Sequence, residues 1–362
     1  MLQRAAIPAS EDCLVVGVSM GSFQARRPDR MRGTIHVVPM LTVIMPTYER
    51  PQLLDVALKS ALGQTFGDIE ILIGDNSDSD DTESLVSTFD DPRIKYHRNR
   101  PGLGPQGNWL DLVQRAKGEL VASLHDDDFW HPQFLAKIVP VMISDPEIAM
   151  TFCDFWIVDA EGNKLPGLTN LESKRTRRSS LPRGDVGVDY QNRLRMVAVW
   201  GAPQPAYAAV VRRQQILDCD FPEDTVPLYD IWLSYQLVRN RQKIRFEPNR
   251  LTYYRQHPGS LTSGGYSRAE DAVFRRILAE NNDLPVEREV YRYWCQLKWA
   301  RGAAAMETEG ADEWGRQEMM SAVQGLGGWK YIVASGVGRS QLLWEIVKVG
   351  KRRRNLSRRD VV

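Results

Sequence analysis

The sequence predicts an α/β protein built on a mostly parallel sheet with helices on both faces. Three observations carry this. Short β-rich runs alternate with helical periodicity from Leu41 onward. The runs at 41–45, 69–73 and 120–124 read as buried strands. Each is followed by a polar loop: Pro46-Thr47-Tyr48, Gly74-Asp75-Asn76-Ser77 and His125-Asp126-Asp127-Asp128. In a parallel sheet these loops leave by one edge, the edge where such folds bind ligands.

The elements follow in order. Leu41–Met45 is the first strand, stopped by Pro46. Pro51 opens a helix with Leu54, Ala57, Leu58 and Ala61 on one face, closed by Gly63. Ile69–Ile73 is the second strand, and a helix around Glu83–Phe89 follows its loop. Ile94–His97 is a third, edge-like strand. Asn108 suits the cap of a helix carrying Trp109, Leu112, Val113 and Ala116, ended by Gly118. Leu120–Leu124 is the fourth strand. Pro132 fits the first position of a helix with Leu135, Ile138, Val139 and Met142 on one face, kinked at Pro140. Leu165–Asp189 is polar, rich in bases and broken by Pro182 and Gly184. It is expected as a mobile loop over an acceptor pocket between residues 160 and 225, with the aromatic segment Trp200–Tyr207 nearby.

The aspartate triplet at the end of the fourth strand is the most informative feature. Side chains alternate along a strand, so Asp126 and Asp128 are expected on one side and Asp127 on the other. Two like charges about 4 Å apart repel by roughly 4 kcal/mol at an effective dielectric near 20. Lining them up therefore demands a counter-charge, and Mg²⁺ or Mn²⁺ with a bound phosphate is the economical one. A solvated acidic loop is the competing reading of an isolated triplet. The convergence of three polar loops weighs against it.

The 362 residues suffice for one large domain with an appendage, or for two domains. A net charge of +1 gives no argument for nucleic acid as a partner. Cys13, Cys153, Cys219 and Cys295 show neither zinc nor disulfide spacing and fit a reducing, cytoplasmic compartment. No apolar run reaches the roughly 18 residues of a membrane span. The short patch Leu14–Val18 lacks a basic flank and does not read as a signal peptide. Residues 1–40 read as an extension, expected to be poorly ordered, with Met31 or Met40 as candidate starts.

Four segments carry a family resemblance. Val43-Ile44-Met45-Pro46-Thr47-Tyr48-Glu49-Arg50 resembles the opening strand of family 2 glycosyltransferases with the GT-A fold. Ser60-Ala61-Leu62-Gly63-Gln64-Thr65-Phe66 resembles that family's helix end, and Asp75–Thr82 its nucleotide loop. His125-Asp126-Asp127-Asp128-Phe129-Trp130-His131-Pro132 resembles its D-x-D metal loop. The likeness spans about residues 41–260. It implies a GT-A domain at 41–265, Rossmann-like, before a helical region at 266–362.

What the resemblance implies about function is specific. A nucleotide diphosphate sugar, UDP- or dTDP-linked, would donate its sugar with inversion to a carbohydrate or lipid-linked acceptor. Pro46, Thr47 and Tyr48 would pack against the base, and Asp75 would accept from the pyrimidine ring. Asp126 and Asp127 correspond to the pair touching ribose and metal, and Asp128 is the next acid. Tyr253–Thr262 resembles a closing segment in which His257 and Arg255 face the metal or pyrophosphate. Arg98, Arg100 and Asn108 are further candidates for donor contacts. Asp230, ahead of an amphipathic helix, is the candidate base that deprotonates the acceptor hydroxyl. Two positions depart from the family pattern: His125 stands where a first aspartate is usual, and Tyr229 where an acid usually precedes Asp230. They keep a non-catalytic nucleotide-sugar-binding protein in view. A sugar-nucleotide nucleotidyltransferase fits less well, because the loop after the first strand is not glycine-rich.

The last hundred residues carry other patterns. Val290, Tyr293, Trp294 and Leu297 form a helical stripe, the usual mark of a core. Leu342, Leu343, Ile346 and Val347 form a second, followed by the basic run Lys351–Arg359. That pattern suits a solvated tail or a peripheral contact with an anionic membrane at its inner face.

Overall fold

The computed structural model describes residues 38–186, 189–226, 228–257, 267–305 and 312–322. The expected extension before residue 38, the segment beyond His257 up to residue 266, the stripe at Leu342–Val347 and the basic run lie outside them.

The first half alternates as expected. Its elements are β1 (Leu41–Thr47), α1 (Pro51–Leu62), β2 (Ile69–Asp75), α2 (Asp81–Val86), β3 (Ile94–Arg98), α3 (Gly104–Arg115), β4 (Leu120–Ser123), β5 (Phe129–Trp130) and α4 (Phe134–Ser144). Then come β6 (Ile148–Val158), α5 (Pro166–Arg175), β7 (Gly184–Asp185), α6 (Tyr190–Arg195), β8 (Ala209–Arg212), α7 (Arg213–Leu217), α8 (Tyr229–Arg239) and β9 (Lys243–Arg255). Helices α9 (Ser267–Glu280), α10 (Glu287–Ala305) and α11 (Asp312–Ser321) close the described chain.

The sheet runs β3-β2-β1-β4-β8-β6-β9-β5, with β7 also on β9. Strands β3, β2, β1 and β4 are mutually parallel. β8 is antiparallel to both its neighbours, and β6 and β9 return to the first direction. The carboxyl ends of β1, β2, β4, β6 and β9 therefore share one edge. Along β1, Val43 and Met45 enter one apolar cluster while Ile44 enters the other, so the strand is buried on both faces.

Several expectations are corrected. β1 does not stop at Pro46 but pairs through it, Pro46 against Gly74 and Thr47 against Asp75. Asn108 is no cap: α3 starts four residues earlier, at Gly104, and Asn108 is buried inside it. Its Nδ2 donates to the Gly74 carbonyl at 2.7 Å, and its Oδ1 accepts from Asn99 at 3.1 Å. The described residues of 165–189 are not a loose lid. They hold α5, a 3-10 turn at Arg178–Ser180 and β7, pinned by a buried ion pair between Arg178 Nε and Asp154 Oδ1 at 2.8 Å. Of the aromatic segment, Tyr207 is core, stacked on Tyr254 at 4.9 Å. The stripe on α10 packs as expected, with Val290 and Trp294 joining the cluster that contains Trp232 and Tyr235 of α8.

One glycine fixes the spacing behind the loop that follows β2. A Cβ on Gly74 would lie 2.2 Å from Asn108 Oδ1. Gly74→Ala is expected to cost roughly 1–3 kcal/mol by overpacking, read as a lower urea midpoint at unchanged m. Gly67→Ala, which has open space around it, should leave the midpoint in place. Equal effects from the two would remove the packing argument.

Candidate active site

The three polar loops meet at the shared edge, and hydrogen bonds join them. Thr47 Oγ1 donates to Asp126 Oδ2 at 2.8 Å, and the Tyr48 backbone N–H reaches the same oxygen at 3.4 Å. Glu49 sits in the left-handed region, with φ 55°. For a residue with a Cβ this is an uncommon conformation, and such conformations cluster at functional sites. Its N–H donates to Ser77 Oγ at 2.7 Å, and its Oε1 accepts from the Asp78 N–H at 2.9 Å. The loop after β1 is thus tied to the aspartate turn on one side and to the loop after β2 on the other. Tyr48, 58% exposed, stands at the mouth with its ring free for stacking.

Asp75 is fully buried. Its Oδ1 accepts from the Ser77 N–H at 2.8 Å and its Oδ2 from the Tyr96 hydroxyl at 2.6 Å. Burial and this carboxylate push the Tyr96 hydroxyl pKa up. Arg98 is drawn into the loop, donating to the carbonyls of Ser77, Asp78 and Ser79 and pairing with Asp80. Arg100 reaches Asp80 at 3.1 Å from the surface. Asn76 and Asn99 link this loop to Asn108. Sequence reading placed Asp75, Arg98, Arg100 and Asn108 near one another. It missed Tyr96, Asn99 and Glu49, whose partners come from other strands.

The aspartates do not alternate as strand residues would. β4 ends at Ser123, and the Asp128 N–H donates to the His125 carbonyl, so the triplet is a turn. Each carboxylate takes its own direction. Asp126 faces β1. Asp127 Oδ2 meets His257 Nε2 and Arg50 Nη1, each at 3.2 Å. Asp128 Oδ1 accepts the Arg255 backbone N–H at 2.9 Å, while Arg255 Nε donates to the Asp127 carbonyl at 2.9 Å. Burial, with the Asp127 charge beside it, pushes Asp126 up to about 7 and Asp128 well above the ordinary carboxylate range. Arg50, missed from the sequence, supplies part of the counter-charge by bridging Asp126 and Asp127 at 3.4 and 3.2 Å. Its place right after Pro46-Thr47-Tyr48-Glu49, on the same edge, was the available signal.

Among the described residues, His125, Asp127 and Asp128 bring one ligand atom each to within 4.8 Å of one another. Asp126 lies outside this group, and His257 touches it through Asp127. Two carboxylates and an imidazole suit Mn²⁺, which tolerates nitrogen, and also Mg²⁺ if water completes its shell. Burial lowers the His125 pKa, which favours the neutral ring that a ligand presents.

His125 Nε2 lies 2.7 Å from the Tyr229 hydroxyl, and Tyr229 packs on Trp109 with ring centroids 4.8 Å apart. The two departures from the family pattern are therefore bonded to each other. That bond joins the aspartate turn to the first turn of α8, where Asp230 follows. Asp230 accepts from the Ile231 N–H at 2.8 Å, and burial raises its carboxyl to about 6.

A mostly parallel sheet with a buried carboxylate turn at one edge is an α/β fold of the GT-A kind. Residues 42–195 match the sequence model of Glycosyl transferase family 2. It is 46% identical over 94 residues to the GalNAc(5)-diNAcBac-PP-undecaprenol beta-1,3-glucosyltransferase of Campylobacter jejuni, covering 25% of this chain and 30% of the relative. It is 27% identical over 148 residues to the UDP-Glc:alpha-D-GlcNAc-diphosphoundecaprenol beta-1,3-glucosyltransferase WfgD of Escherichia coli, covering 41% of this chain and 57% of the relative. The matches thus span a third to just over half of these relatives' lengths. S. aureus TarS, solved in complex with UDP-GlcNAc, shares the fold with a TM-score of 0.59 at 15% identity, over 86% of this chain and 91% of that one.

The raised Asp126 carboxyl has a consequence for stability. Its folded pKa, near 7, lies above the unfolded value of about 3.9. The folded state then holds the proton more tightly, and stability falls as pH climbs from about 4 through 7. Asp126→Asn, in EDTA, should raise the melting temperature by a few degrees at pH 8 and far less at pH 5. A lower melting temperature at pH 8 would show that its hydrogen bonds and Arg50 outweigh the cost of burying the charge.

Proposed function

We propose that this chain transfers a sugar from a nucleoside diphosphate sugar, UDP- or dTDP-linked, to a hydroxyl of a lipid-linked glycan, with inversion. The observation that carries this is the meeting, at one sheet edge, of the nucleotide loop, the buried aspartate turn and the first turn of α8, coupled through His125 and Tyr229. The acceptor class rests on the two relatives whose names specify undecaprenyl-diphosphate substrates.

In this reading Tyr48 stacks on the base and the Asp75 loop binds its edge. Each Asp75 oxygen already holds one donor but keeps a second lone pair. A ring N–H can share it once the loop bound by Arg98 gives way. His125, Asp127 and Asp128 would hold the divalent cation. An Nε2–H donated to Tyr229 would leave His125 Nδ1 with its lone pair for that purpose. The cation, when bound, supplies charge neutralisation to the departing diphosphate. Asp230 takes the proton from the acceptor hydroxyl as that oxygen attacks the anomeric carbon and the diphosphate leaves from the opposite face. A base with its pKa near 6 is ionised at neutral pH and still able to accept a proton there. No helix among the described residues is long and apolar enough to cross a membrane.

Asp230→Asn should lower turnover by roughly 10²–10⁴-fold while calorimetric affinity for UDP is kept. In the unaltered protein turnover should fall tenfold per pH unit below about 6. UDP binding should require Mn²⁺ or Mg²⁺ and be lost in EDTA and in Asp127→Asn. Equal UDP affinity with and without EDTA would end the metal assignment. Loss of UDP affinity in Asp230→Asn, at normal turnover per bound donor, would make Asp230 a binding residue.

A further inference from the structure

A second concave site lies away from the aspartate turn. It is a cavity of about 630 Å³ lined by β6, the Pro248–Leu251 stretch of β9, the turn around Arg178 and the start of α4. Its origin is local. The β6–β9 pairing slips between Cys153 and Asp154 and again between Asp154 and Phe155. Such irregularities bend a strand and open the ladder. Asp154 lies four residues before Val158, the partner of Arg255, so the cavity sits roughly 13 Å along the strands from the reaction edge.

The cavity carries more positive charge than its own acid can balance. Arg178, Arg250 and Lys137 line it with one carboxylate, Asp154. That carboxylate already accepts three hydrogen bonds: Oδ1 from Arg178 Nε at 2.8 Å, and Oδ2 from Arg250 Nε and Ser173 Oγ, each at 3.1 Å. Arg178 is only 2% exposed, and its guanidinium lies 3.9 Å from the Phe155 ring centroid. Its Nη1 is buried without a hydrogen-bond partner. A buried guanidinium N–H left unpaired is costly, and a planar fork of this kind matches the oxygens of phosphate or carboxylate.

We propose that this cavity is an oxyanion subsite that binds a phosphate or carboxylate group among Arg178, Arg250 and Lys137. The assignment does not depend on the transferase reading. Lys137 is exposed on α4, and the buried Arg178 lines the same cavity from its turn.

Calorimetry on the full chain in EDTA at low salt tests this with inorganic phosphate, pyrophosphate and glucuronate. One saturable site is expected. Preference for the phosphates identifies a phosphate-bearing ligand, and preference for glucuronate an acidic sugar. Arg178→Gln should weaken binding roughly tenfold or more, the usual effect of losing a charge-assisted hydrogen bond. Lys137→Ala should weaken it about twofold to fivefold, and it decides the matter if Arg178→Gln fails to fold. UDP affinity in Mn²⁺ should be unchanged in both, which separates this site from the reaction edge. Failure of all three anions to bind would overturn the proposal. So would affinities untouched by Lys137→Ala, or binding lost in Arg50→Ala instead.

Discussion

Three adjacent carboxylates, two of them buried, set the terms for everything around the shared strand edge. Water cannot screen Asp126 and Asp128, and each feels the Asp127 charge. The fold answers with contacts from two separate strands of the sheet. Thr47 and Arg50 come from the β1 side, and Arg255 and His257 from the end of β9. β1 and β9 are far apart in sequence and separated by three strands in the sheet. The aspartate turn therefore clasps the two halves together, and its geometry depends on both. A divalent cation would add to this compensation rather than create it.

The bond between His125 and Tyr229 gives the two departures from the family pattern a common physical account. An aspartate at 125 and an acid at 229 would place two more negative charges beside a triplet already short of compensation. A neutral imidazole against a phenol hydroxyl keeps the connection and removes the charge. It also holds the start of α8 by a polar contact while Trp109 holds it by an apolar one. Asp230 is the next residue, so its position follows from this pair.

Behind α8 the helical region is more than an appendage. Ala269, Val273, Phe274 and Ile277 of α9 and Val290 and Trp294 of α10 enter the same apolar cluster as Trp232, Leu233 and Tyr235. The Tyr235 hydroxyl donates to Glu280 and accepts from Asn281, which adds polar links at the same junction. The helix that carries Asp230 is thus supported on one side by the sheet and on the other by the C-terminal helices.

Local order was legible in the sequence, because period and turn chemistry are properties of neighbours along the chain. The strands β1 to β4, the helix faces of α1, α3 and α4, and the convergence of three polar loops could all be read from it. So could Asp75, the aspartate triplet and Asp230 as the residues to examine. What the sequence could not give is who faces whom. Asn108 read as a cap because its neighbours suited one, yet the close approach of Gly74 makes it an internal link between α3 and β2. The polar stretch 165–189 read as a lid because its composition is that of a loop. Only the buried pairing of Arg178 with Asp154 shows it to be packed structure. Arg50, Tyr96, Arg255 and the His125–Tyr229 bond act across 21 to 128 positions of chain. Contacts at such separations are decided by tertiary packing, and no local pattern encodes them.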